Sequence, residues 1–147
     1  EINNGNPYPT PFDKTHDISV IMSYEITPDL TLASNWVYST AMPITAPTGK
    51  YGYENMSVPV YSERNGLRIP GTDYHRMDVS LTYDNIKSII LGVEVNHSFN
   101  LSVYNAYSRH NMYSVDFEPS DEDPNRMTAT KLYLFKVIPA ITYNFKF

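Results

Sequence analysis

Five segments of this chain alternate apolar and polar residues with the two-residue period of a β-strand. They cover residues 16–26, 30–40, 74–84, 94–107 and 131–147. The alternation is strictest in 74–84, where one face would carry His75, Met77, Val79, Leu81 and Tyr83 and the other Arg76, Asp78, Ser80, Thr82 and Asp84. The period therefore predicts an all-β chain whose strands have one apolar and one polar face. Pro139 marks a bulge or a local break in the last segment, because proline donates no ladder hydrogen bond.

The connections between these segments alternate in length. Residues 27–29 form a tight turn and 85–93 can extend the flanking strands into a hairpin, whereas about 41–71 and 108–130 are long. A short strand is expected near residues 112–117 within the second long connection. In an antiparallel meander every second connection lies at the same end of the sheet. Short turns at one end and long loops at the other are typical of outer-membrane β-barrels.

Aromatic residues and histidines lie towards the ends of the predicted apolar faces, as in the interface girdles of membrane barrels. The residues expected at the membrane interface are His16, Tyr24, Trp36, His75, Tyr83 and Tyr107. Two of these strands place a histidine eight residues before a tyrosine, His16 before Tyr24 and His75 before Tyr83. Eight residues at roughly 3.3 Å each span about 26 Å, close to the height of a barrel's apolar band once tilted.

The number of strands indicates part of a larger barrel. Five strands cannot close, and the smallest bacterial barrels have about eight. An open edge in lipid would leave backbone groups without hydrogen bonds. We therefore expect the C-terminal part of a barrel rather than a complete domain. The first residue, Glu1, fits a processed chain or a piece of a longer one.

Composition excludes several classes of function. The 147 residues carry a net charge of −5, which argues against a nucleic-acid partner. The absence of cysteine excludes disulfides, cysteine-ligated metals and a cysteine nucleophile. No apolar run approaches the roughly 18 residues of a transmembrane helix. No catalytic triad spacing, phosphate-binding loop or HExxH motif is present, so we expect no enzyme and no cofactor.

Four longer stretches resemble a known family. They are FDKTHDISVIMSYEI (12–26), SERNGLRIPGTDYHRMDVSLTY (62–83), FNLSVYNAYSRHNMYSVDF (99–117) and KVIPAITYNFKF (136–147). In this order they resemble late strands and loops of TonB-dependent outer-membrane receptors of the Bacteroidetes type. The resemblance implies a 22-stranded transmembrane barrel closed by an N-terminal plug, of which this chain would supply the last five strands. It also implies that Tyr143, Phe145 and Phe147 form the terminal signal that the barrel-assembly machinery recognises.

The resemblance implies a function and a set of partners. The complete protein would lie in the bacterial outer membrane and import a siderophore, glycan, peptide or vitamin with energy delivered by TonB. Its partners would be membrane lipid and lipopolysaccharide, the remaining barrel and plug, TonB and the assembly machinery. The end of the chain is less like that of the starch-utilisation receptors, and a surface lipoprotein lid stays an open alternative. Without plug and TonB box, this segment alone should not transport.

The loop at 41–71 carries the candidate substrate-binding residues. Aromatic rings beside hydrogen-bonding groups suit sugars, peptides and siderophores alike, and functional residues concentrate on loops of rigid scaffolds. The candidates are Tyr51, Tyr53, Tyr61, Arg64 and Arg68. An ordinary surface loop is the alternative interpretation.

Other polar clusters have simpler interpretations. The acidic cluster Asp116, Glu118, Asp121, Glu122 and Asp123 lacks the spacing of a calcium-binding hand and fits a solvated loop. The four histidines show no metal-ligand spacing. Arg76, Asp78 and Glu25 would form lumenal salt bridges to a plug. Two alternatives to a receptor stay open, namely another outer-membrane barrel such as a porin or adhesin and a soluble β-sandwich binding module.

Overall fold

The computed structural model describes residues 2–54, 56–120, 122–123 and 126–147. These residues form antiparallel β-sheets and a 3₁₀ turn at Ile2–Gly5, without any α-helix. The strands are β1 (Asp17–Thr27), β2 (Leu30–Ser39), β3 (Gly49–Tyr53), β4 (Met56–Val60), β5 (Tyr74–Ile90), β6 (Val93–Tyr104), β7 (Met112–Pro119), β8 (Met127–Tyr133) and β9 (Ile138–Lys146). The all-β prediction is confirmed, and the described strands do not close into a barrel. Within the described ranges, no helix is long and apolar enough to cross a membrane.

The five predicted long strands form one sheet in the order β1-β2-β5-β6-β9. Thus strands that follow one another among the five are also neighbours in space. β1 and β2 are joined by the two residues Pro28 and Asp29, a connection that only antiparallel neighbours permit. The backbone amide of Asp84 donates to the carbonyl oxygen of Asp29 at 2.8 Å, which places Asp84 beside this turn.

The β5–β6 hairpin continues well beyond Asp84 and the β1–β2 turn. Its turn consists of Leu91 and Gly92, whose φ angles of 51° and 82° are typical of the type I′ turn that suits twisted strands. The pairing register shifts between Tyr83 and Ile86, so the two strands are joined through a β-bulge. The hairpin anticipated at 85–93 is confirmed, and β5 reaches Ile90 rather than ending near Asp84.

The prediction of a single strand over 131–147 is wrong. Residues up to Tyr133 belong to β8 and pair with β7, while residues 134–137 lie outside any strand. Tyr133 and Phe135 therefore do not belong to the last strand. Pro139 lies inside β9, opposite Val103, rather than at the break. Among the described strands, β9 has only β6 as a neighbour, and an edge strand can accommodate proline on its unpaired side.

Each long connection contains a two-stranded hairpin. β3 pairs with β4 inside the first connection, although glycine and proline hide any period in that sequence. β7 pairs with β8 inside the second, which confirms the short strand expected near residues 112–117. Contacts divide the molecule into two compact units. One, the loop unit, contains the described residues of 2–17, 39–74 and 111–134, and the other, the sheet unit, contains 18–38, 75–110 and 135–147.

Candidate functional site

One face of the sheet unit is apolar along successive cross-strand rows. Directly opposed residues of β5, β6 and β9 form the rows Val79–Val103–Pro139, Leu81–Leu101–Ile141 and Tyr83–Phe99–Tyr143. This face is partly open to its surroundings: Leu101 is 50 % exposed and Ile141 is 78 % exposed, whereas Val79 and Leu81 are half-buried. On β1 the alternate residues from Ile18 to Ile26 are also apolar and exposed.

The intervening rows are polar. They are Ser80–Ser102–Ala140, Thr82–Asn100–Thr142 and Lys87–Asn96–Lys146. Asn100 donates to the Thr82 hydroxyl at 2.7 Å across two strands. The sheet therefore has one apolar face and one polar face, as the two-residue period predicts.

Few apolar residues of the molecule are buried. Among the described residues, only Ala41 and Val95 are apolar side chains with less than a tenth of their surface exposed. Soluble domains cover the apolar faces of their sheets with a second layer. Apart from Val95, the apolar residues that the structure describes in this sheet are half-buried or exposed.

The residues expected at the membrane interface occupy several environments. The His75 Nδ1 atom lies 2.8 Å from the Tyr107 hydroxyl, and Trp36 stacks on Tyr38 with 6.2 Å between ring centroids. His16 precedes β1, and its backbone amide donates to the Thr40 hydroxyl at 3.2 Å. Tyr24 is 64 % exposed near the end of β1. Tyr83 is level with the β1–β2 turn but well inside β5, so its expected position at a strand end is wrong.

The three residues of the expected assembly signal form an aromatic row on β9 and just beyond it. The ring centroids of Tyr143 and Phe145 are 6.0 Å apart, and those of Phe145 and Phe147 are 6.3 Å apart. The ring centroid of Tyr143 also lies 4.9 Å from that of Phe99 on β6. All three side chains are exposed.

The polar face holds an ion pair within β5. The Arg76 Nη2 atom lies 2.8 Å from the Asp78 carboxylate. The same guanidinium lies 4.2 Å from the Tyr104 ring centroid and donates to its hydroxyl at 2.8 Å. Arg76 and Asp78 thus pair with each other, and Tyr104 completes the cluster. Glu25 is an exposed residue of β1.

Asn105 organises the turn that follows β6, a role that the sequence did not reveal. It is 1 % exposed and has a φ of 53°. Its side-chain amide donates to the Arg109 carbonyl at 2.9 Å and accepts from the Arg109 amide at 3.0 Å. Its own backbone amide donates to Asp78 at 3.0 Å. An asparagine just after a strand, where a positive φ is tolerated, is the signal that could have identified it.

The loop unit contains a cavity of about 650 Å³, a volume suited to a small ligand. Two predicted binding residues line it, Tyr61 and Arg64, together with Tyr8 and three prolines, Pro9, Pro11 and Pro43. Arg64 donates to the Tyr8 hydroxyl at 3.1 Å and lies over its ring at 5.7 Å. The wall therefore combines aromatic, proline and charged surfaces.

Two close contacts hold the cavity wall to the segment before β1. The Asn3 side chain donates to the Arg64 carbonyl at 2.6 Å and accepts from the Arg64 amide at 2.7 Å. Gly66 has a φ of 56°, and a Cβ atom there would lie 2.5 Å from Pro9 Cδ. Only glycine allows this approach without a shift of the backbone or the proline ring.

The remaining predicted binding residues lie elsewhere. Tyr51 and Tyr53 are exposed on β3 and do not line the cavity. Arg68 lies 2.7 Å from the Asp13 carboxylate and also donates to the Ala41 carbonyl, so it connects parts of the loop unit. The structure thus brings together Tyr61 and Arg64 but not the full predicted set.

The described residues contain no group of three histidine, cysteine, aspartate or glutamate residues that could hold a metal ion. Asp121 of the acidic cluster lies outside the described residues. In comparisons with known proteins, no family model, no curated protein and no solved structure matches this chain.

Proposed function

We propose that this chain is the C-terminal barrel segment of a TonB-dependent outer-membrane receptor that imports a nutrient. The observation that carries the membrane part is the exposed apolar face of the five-stranded sheet, opposite a polar face. Lipid would cover the apolar face, and a water-filled lumen or a plug would lie against the polar face. The outer edges of β1 and β9 would pair with further strands of the barrel.

The lengths of the connections also support the barrel proposal and give its orientation in the membrane. The two connections at one end of the sheet contain two residues each, while the strands at the other end continue into connections with hairpins of their own. In outer-membrane barrels the short turns are periplasmic and the long loops are extracellular. The loop unit, with its cavity, would then lie on the extracellular side and contribute to substrate capture through Tyr61 and Arg64.

The receptor part of the proposal depends on the family resemblance of the four sequence stretches. A receptor of that family requires TonB for import. In cells that produce the complete protein, nutrient import should therefore stop when TonB is removed. Import that continues without TonB would instead indicate a porin.

Two neighbouring residues of β9 test the membrane part. Residues 1–147 contain no cysteine, so Ile141→Cys and Thr142→Cys each introduce a single labelling site into this segment. Each can carry a spin label in the complete protein in lipid vesicles, once any cysteines outside this segment are replaced. We expect the label at 141 to collide with lipid-soluble oxygen and the label at 142 with a water-soluble nickel chelate. A label at 141 that neither reagent reaches would indicate a second layer, as in a soluble sandwich, and equal access of the nickel chelate to both positions would also contradict the proposal.

A further inference from the structure

The tip of the β5–β6 hairpin is strongly apolar and exposed. Leu91 is 100 % exposed, and Ile90 and Val93 are each more than half exposed. These residues lie past Asp84, which is level with the β1–β2 turn. The hairpin thus carries apolar surface beyond the end of its neighbouring hairpin.

The turn residue Leu91 is unfavourable for the turn itself. With a φ of 51°, it occupies a position of the type I′ turn that favours asparagine, aspartate or glycine. Leucine has no side-chain hydrogen bond with which to stabilise this conformation. Neither local backbone preference nor burial explains a leucine here, so its side chain fits a role in contact with something outside the chain.

The β-bulge keeps the apolar face continuous into the tip. Before the bulge the odd-numbered residues of β5, ending with Tyr83, lie on the apolar face, and after it the even-numbered Ile86 and Ile90 do. Ile90, Leu91, Val93 and Val95 form, with the β9 aromatic residues, an apolar groove of about 450 Å³. The Lys87–Glu94 ion pair, 3.1 Å long, connects residues of the opposite face.

The polar groups on this stretch of the apolar face bond to one another. Ser88 Oγ lies 2.5 Å from His97 Nε2, and His97 Nδ1 lies 2.6 Å from the Tyr143 hydroxyl. Both ring nitrogens and both hydroxyls are therefore engaged within the sheet. Hydrocarbon requires such internal pairing, because it offers no hydrogen bonds.

We propose that the tip of the β5–β6 hairpin inserts its Ile90–Leu91–Val93 side into the lipid of the membrane interface. This inference rests on the proposed membrane function. Continuity with the apolar face of the sheet and the internally bonded polar groups favour lipid over a protein partner. Leu91, at the end of the groove, is the anchoring side chain.

Adjacent residues with opposite orientation provide the test. Single cysteines replacing Ile89, Ile90 and Leu91 would each carry an environment-sensitive fluorophore in the complete protein, in phosphatidylcholine–phosphatidylglycerol vesicles. Spin-labelled lipid should quench the fluorophore at 90 and 91 severalfold more than the one at 89. Aqueous iodide should show the reverse order.

A second variant separates lipid contact from turn stability. Leu91→Asn suits the type I′ turn, so the hairpin should keep its hydrogen-exchange protection while lipid quenching at position 90 falls severalfold. Iodide quenching at 90 and 91 equal to that at 89 would overturn the inference, as would unchanged lipid quenching in Leu91→Asn. If Ile141 is nevertheless in lipid, only this inference fails, and the membrane proposal stands.

Discussion

The Nδ1 atom of His97 on β6 lies 2.6 Å from the hydroxyl of Tyr143 on β9. The two rings are nearly parallel, with 14° between their planes. Together with Ser88, this pair joins the three strands β5, β6 and β9 through side chains on the apolar face.

Replacing His97 tests whether this chain of hydrogen bonds stabilises the sheet. His97→Phe keeps an aromatic ring but leaves the Ser88 and Tyr143 hydroxyls without their partner. If lipid covers this face, as proposed, each unsatisfied hydroxyl costs about 1–3 kcal/mol, so the free energy of unfolding should fall by that order. Urea unfolding of the complete protein in lipid vesicles measures it.

The matched control removes both partners. In His97→Phe/Tyr143→Phe, the Tyr143 hydroxyl is no longer stranded, so part of the lost stability should return. A single His97→Phe variant as stable as the original protein would show that the hydroxyls find other partners.

Gly66 should be the least replaceable glycine of the loop unit. Gly66→Ala combines a φ of 56° with a Cβ only 2.5 Å from Pro9 Cδ, so the cavity wall should separate from the segment before β1. In the original protein the Arg64 amide donates to Asn3. Faster hydrogen exchange of this amide in Gly66→Ala would report the opening.

Alanine substitutions at two other glycines distinguish backbone strain from steric crowding. Gly71→Ala adds a side chain at a φ of 75° in open space, and Gly52→Ala meets nothing within 4 Å. We expect little change at Gly52 and only local backbone strain at Gly71. Equal effects at Gly66 and Gly71 would indicate that the contact with Pro9 is unimportant.

We expect the side-chain amide of Asn105 to contribute more to the stability of the protein than its positive φ does. Asn105→Gly tolerates the φ of 53° but loses the two short bonds to Arg109. At about 1 kcal/mol for each hydrogen bond, the free energy of unfolding should fall by roughly 2 kcal/mol. Thermal or urea unfolding measures the difference.

Asn85→Gly is the matched variant for this prediction. Asn85 also has a positive φ, 63°, but it is exposed and its side chain has one bond, to Asp29. Its replacement should cost clearly less than that of Asn105. The opposite order would mean that burial of the amide contributes little.

The proposed role of the cavity in nutrient capture can be tested by replacing Arg64. Arg64→Met removes the charge and the bond to Tyr8 while retaining an aliphatic stem. Nutrient binding to cells should weaken severalfold, whereas Tyr51→Phe, away from the cavity, should leave it unchanged. Loss of binding in Tyr51→Phe but not in Arg64→Met would place capture elsewhere.

The sequence predicted the sheet better than the loops. Alternation on 16–26 and 74–84 is unambiguous, because each strand has one apolar face and one polar face. The sequence alone does not reveal the β-bulge. Asn85 shifts the two-residue period by one position, so Ile86 and Ile90 do not fit the alternation of residues 74–84. The end of β8 and the start of β9 appear as one segment in the sequence, because both continue the same alternation.

The cavity was only partly predictable for a different reason. Tyr61 and Arg64 belong to the predicted loop, but Tyr8 reaches the wall from a segment more than fifty residues earlier in the chain. Composition of one loop cannot indicate such a long-range contact. Arg68 shares the charge of Arg64 yet bonds to Asp13, a choice fixed by the folded path of the chain.

The bulge between Tyr83 and Ile86 makes the hairpin dependent on residue count. The bulge changes which alternate residues share the apolar face: odd-numbered residues lie there before it and even-numbered residues after it. Loss of one residue within the bulge would restore regular pairing and leave Ile86 and Ile90 on the apolar face. Loss of Ser88, beyond the bulge, would instead turn Ile89 onto the apolar face and Ile90 away from it. The hairpin can therefore lose a single residue at the bulge without exchanging its faces, whereas a single deletion in the regular stretch beyond the bulge exchanges them.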